Sequence, residues 1–92
     1  MVWIVRGIRR GNSGLEAKEG DTIYIQNTNA DLITGVLWGD GYPVLLDHEG
    51  DNKIRMVLER KNFDLKGLRK LEIRSYKGSR NSGRIEKIIN IV

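Results

Sequence analysis

Residues 53–59 read KIRMVLE. Ile54, Met56 and Leu58 alternate there with Lys53, Arg55 and Glu59. A helix gathers its apolar side chains at every third or fourth position, whereas a strand sends successive side chains to opposite faces. Alternation over this stretch, interrupted only by apolar Val57, therefore specifies a half-buried strand, with Ile54, Met56 and Leu58 turned to the core. The same rhythm recurs on both sides. In TIYIQ, residues 22–26, Ile23 and Ile25 face inward and Tyr24 outward. In LEIRSY, residues 71–76, Leu71 and Ile73 face inward, with Glu72, Arg74 and Tyr76 outward. The opening VWIVRGI, residues 2–8, is apolar at consecutive positions, as expected of a central or doubly covered strand.

Turn signals separate these segments. TGVLWGDGYPVLLD, residues 34–47, reads as a hairpin around Asp40 and Gly41, with the strand of Pro43 at an edge or starting just there, because proline has no N–H to donate. DHEGDN, residues 47–52, and AKEGDT, residues 17–22, read as turns. NFDLKGLRKL spaces Leu65, Leu68 and Leu71 three apart behind a possible Asn62 cap, predicting one helical turn around residues 63–70. RIEKIINIV at residues 84–92 carries a helical stripe, but its β-branched composition favours a final strand with a bulge near Lys87. The expectation is a single all-β domain spanning residues 1–92. It would be a small antiparallel barrel of six to seven strands, of Sm-like, Src-homology-3-like or oligonucleotide-binding type.

The chain has 92 residues and no cysteine, which excludes disulfides and thiolate metal sites and fits a cytoplasmic protein. No apolar run is long enough to span a bilayer. With His48 the only histidine, Cys/His nucleophile pairs and histidine metal clusters are absent, so no catalytic residue, metal ligand or cofactor is assigned. Asp47, His48, Glu49 and Asp51 are read as turn residues. The net charge of +4 is unevenly spread. Residues 19–65 hold nine acidic and four basic side chains, while residues 66–92 hold eight basic and two acidic ones. Clustered cations attract polyanions.

Two loops concentrate that charge: IRRGNSG, residues 8–14, and RSYKGSRNSGR, residues 74–84. Arg and Lys neutralise phosphates, glycine-rich turns permit close approach, and an exposed aromatic can stack on a base. Arg9, Arg10, Arg74, Tyr76, Lys77, Arg80 and Arg84 are therefore the candidate contacts of a non-enzymatic module for RNA or DNA. A protein-interaction or assembly module, pairing as a homo-oligomer through an edge strand, is the alternative, and a small endoribonuclease comes third. In the plainest reading, Arg74 and Tyr76 only cover the outside of a sheet.

Two stretches resemble known families. In LITGVLWGDGYPVLLDHE, residues 32–49, the order of Gly35, Leu37, Asp40, Leu45 and Leu46 resembles the first half of the Sm motif of Sm-like RNA-binding proteins. That resemblance implies a small barrel that binds RNA. GDTIYI, residues 20–25, followed by YPVLL is similar to the barrel-shaped endoribonuclease toxins, with Tyr42 where their pattern has Arg.

Overall fold

The computed structural model describes residues 3–12, 14–39, 41–59 and 66–92. Ten strands occupy them: β1 Trp3–Arg6, β2 Arg9–Gly11, β3 Gly14–Ala17, β4 Thr22–Asn27, β5 Leu32–Trp38, β6 Pro43–Leu45, β7 Asp47–Gly50, β8 Lys53–Val57, β9 Gly67–Lys77 and β10 Arg80–Ile91. They pair into two sheets, a four-stranded one in the order β1-β4-β8-β7 and a six-stranded one in the order β2-β3-β10-β9-β5-β6. Among the described residues no strand of one sheet pairs with a strand of the other, so the arrangement is two facing sheets and not a closed barrel. The pairing is not wholly antiparallel either, because β3 runs parallel to β10.

The predicted alternation places the core. Ile23 and Ile25 of β4 and Ile54 of β8 are fully buried, and Met56 nearly so. From the six-stranded sheet come Ile33 and Leu37 of β5, Leu71 and Ile73 of β9, and Ile89 and Ile91 of β10. Gly35 lets the sheets meet closely, since a Cβ there would stand 2.5 Å from Ile54 Cδ1. A backbone bond ties β5 to the turn between β7 and β8, Ile33 N–H donating to Asp51 O at 2.9 Å, while Leu46 N–H to Gly35 O at 2.9 Å extends the β5–β6 pairing by one residue.

Several expectations are revised. β1 is an edge strand, and Val5 and Arg6 are exposed. Its consecutive apolar residues are therefore not covered on both faces. Of the predicted helical turn, residues 63–65 lie outside the described residues, while residues 67–70 are the extended start of β9. Leu68 points outward and is 70% exposed whereas Leu71 is buried, so three-residue spacing does not make a stripe here. Asp47–Gly50 forms β7, and the turn is confined to Asp51 and Asn52. The bulge of the last strand lies at Ser82, between the pairs Asn81 with Tyr76 and Gly83 with Ser75, and Lys87 stands in regular register opposite Leu71. Pro43 does begin β6, the edge strand beside β5, as its missing N–H requires. No helix among the described residues is long and apolar enough to cross a membrane.

Candidate nucleic-acid interface

Strand register decides where each candidate residue goes. On β9, odd positions from Leu71 to Ser75 face the core, so Glu72, Arg74 and Tyr76 face out. The hairpin to β10 turns on Gly78 and Ser79, joining Lys77 opposite Arg80. Gly78 has φ of 61° and Ser79 does not share the positive φ, the pattern of a II′ turn with Gly at its first central position. The loop is thus two residues long, and the strand resumes at Arg80. Ser82 then supplies the extra residue of the bulge. Ser75, fully buried, holds it: the Ser75 hydroxyl donates to Gly83 O at 3.4 Å and accepts from the Ser82 hydroxyl at 3.2 Å. Asn81 Oδ1 accepts from Gly83 N–H at 3.1 Å. Beyond the bulge, Arg84 comes directly opposite Arg74, on the outer face.

The outer face of the six-stranded sheet therefore carries cross-strand rows. Asn81, Tyr76 and Leu32 form one row, Arg84, Arg74 and Thr34 the next, and Glu86, Glu72 and Val36 the third. Two arginines opposite each other repel. Arg84 is compensated by Glu86, which it contacts closely, and by Glu72 at 3.8 Å. Glu72 also accepts Lys70 at 3.0 Å. The hydrogen bond from Lys70, then the charges of Lys70 and Arg84, hold the Glu72 carboxyl below its ordinary value against partial desolvation. Arg74 is exposed and makes no ion pair among the described residues. A hollow of about 210 Å³ lies beside it, lined by Thr34, Val36, Glu72, Arg74 and Tyr76.

The other candidates are dispersed. Lys77 ties the hairpin to the neighbouring turn, reaching Asn29 O at 3.1 Å and Asp31 at 3.6 Å. Asp31 also accepts from Gly78 N–H at 2.6 Å, and that bond, with the Lys77 charge, lowers its pKa. Arg80 stands exposed at the hairpin end. Arg9 pairs with Glu16, which pairs with Asn90, so it joins the outer face at the far end of β10, and its guanidinium reaches Asp21 at 3.5 Å. Six residues of strand separate Asn90 from Arg84, roughly 20 Å at the usual rise. Arg10, opposite Leu15, has the phase of the inner face. The two basic loops do not close on one another. Their likeness in composition conceals opposite ends of one strand.

Aromatic positions that alternation left open are now placed. Trp38 lies on the outer face with the Lys70 ammonium 5.6 Å from its ring centroid. Trp3 turns to the inner side of β1 beside the core, and Tyr42 is exposed in the loop before β6. Tyr24 faces out of the four-stranded sheet under the Arg6 guanidinium, 5.8 Å from its centroid, on the far side of the molecule from Tyr76. His48 is held by its Nε2 contact with Ile33 O at 2.7 Å. Among the described residues no group of three or more His, Asp or Glu side chains is arranged to hold a metal. The chain matches no protein-family model, and no curated protein or solved structure is significantly similar to it.

Proposed function

We propose that the outer face of the six-stranded sheet binds single-stranded nucleic acid, with Arg74 and Arg84 on the phosphates and Tyr76 stacking on a base. The observation that carries this reading is the Arg74 and Arg84 row: two cations are held opposite each other by a bulge, and one of them has no acidic partner among the described residues. An anion between them would relieve the repulsion. Tyr76, one row away, offers a half-buried ring with a face to the same side. The role is binding without cleavage. The likeness of residues 32–49 to part of the Sm motif makes RNA the first ligand to try.

Polarisation titrations of a labelled oligonucleotide across a salt series test it. Binding should weaken steeply with salt, and Arg74→Ala should lower the log–log slope by about one. Unchanged affinity and slope in Arg74→Ala with Arg84→Ala would overturn the assignment.

A second reading, self-assembly, is favoured by apolar side chains on the same face: Leu45 is 71% exposed, Leu68 70% and Ile88 55%. Light scattering after size exclusion separates the two. A stable oligomer indifferent to oligonucleotides favours assembly.

A further inference from the structure

Away from the outer face, the two sheets part where edge strand β1 has, among the described residues, no hydrogen-bonded neighbour on one side. A cleft of about 370 Å³ opens there. Trp3 and Val5 of β1 form one wall, Leu15 of β3 and Ile85 of β10 the other, and Ile25 and Ile73 the floor. That volume falls within the range of small-molecule sites, which are mostly apolar with a few placed polar groups. Here the polar group is Lys87. Its position on β10, opposite Leu71 and in phase with Ile85 and Ile89, puts it on the cleft side of the strand, and its exposure leaves the ammonium in water at the mouth. Among the described lining residues Lys87 alone is charged, and it makes no ion pair among the described residues.

We infer that this cleft takes a medium-chain fatty acid, its hydrocarbon lying between the sheets and its carboxylate meeting the Lys87 ammonium. A slot walled by aliphatic side chains and the Trp3 ring favours a flexible unbranched chain over a rigid polar ring. The lone cation selects an anionic headgroup over a neutral or cationic one.

Calorimetric titration with sodium decanoate, kept below its micelle concentration, tests the inference on the whole chain. One equivalent should bind, with decanol and decyltrimethylammonium at least tenfold weaker. Lys87→Ala should weaken decanoate at least tenfold and leave decanol unchanged, and Lys87→Arg should restore it. Val5 is 50% exposed at the rim, so Val5→Trp should block entry while leaving the unfolding midpoint of the free protein in place. Amide shifts on titration should centre on Trp3, Leu15, Ile85 and Lys87. Equal binding of decanoate and decanol, or shifts centred on Arg74, would overturn the site. A cleft-side lysine that only guards an edge from pairing would be revealed by self-association of Lys87→Ala with no decanoate binding to the parent protein, which also overturns it.

Discussion

Glu72 sits between three cationic or polar neighbours on the outer face, and its side chain is only 13% exposed. Its carboxyl is held below the ordinary value, so its contribution to stability is present above the unfolded-state pKa of about 4.3 and is lost as pH falls through the lower folded value. Denaturant melts of the parent protein and Glu72→Gln should differ most at neutral pH and converge as the pH falls through the lowered folded-state value. Tyr76 is testable on the same face. If its ring stacks on a base, Tyr76→Ala should cost roughly 1–3 kcal/mol of oligonucleotide affinity and Tyr76→Phe little, as equilibrium titration would show. The outward phase of Arg74 and Tyr76 was legible in LEIRSY, because alternation needs only neighbours in sequence. That of Arg84 was not: it depends on the extra residue at Ser82, whose accommodation requires buried Ser75 on the facing strand.

The bulge shifts the pairing count for the rest of β10. Before it, residue numbers on the two strands of each pair add to one total, and after it to a total one greater. Deleting Ser82 while keeping the turn would let Gly83 follow Asn81 directly, and every later pair of β10 with β9 would keep its register and its face. Ile85, Ile89 and Ile91 would stay inward, and the loss would be confined to the hydrogen bonds that Ser75, Asn81 and Ser82 make at the bulge, about 0.5–1.5 kcal/mol each. The deletion should leave unfolding cooperative in a urea melt, with a modestly lower midpoint. Gly35 offers a second test. Gly35→Ala should cost about 1–3 kcal/mol through its approach to Ile54, and less in an Ile54→Val background, which removes the Cδ1 atom it would meet. The strands of residues 22–27, 53–57 and 71–77 were readable because each has one wet face. The start of β9 was misread as helical because Leu68 is apolar yet exposed, and pattern reading assumes that leucines face inward.

Across the molecule, the charge excess of residues 66–92 is distributed along a sheet instead of gathered at one mouth. Arg9 lies roughly 20 Å along the strand from Arg84, about twice the Debye length of about 10 Å at 0.1 M salt. Arg9→Ala with Arg10→Ala should therefore change oligonucleotide affinity far less than Arg74→Ala with Arg84→Ala, as parallel titrations at 0.1 M salt would show. All-β architecture was legible, since alternation and turn residues report on local conformation. Neighbour order was not, because alternation says which side chains face inward and is silent on which strand lies alongside. The parallel pairing of β3 with β10 joins residues more than seventy positions apart, and nothing local encodes it. That pairing bears on how the chain acquires its shape during synthesis. The four-stranded sheet is complete once Val57 has emerged from the ribosome, whereas β9 and β10, at the centre of the other sheet, are made after every strand they join. Until residues 67–91 appear, β3 and β5 have no strand between them, and the apolar faces of half the molecule wait uncovered for a late hairpin to slide in.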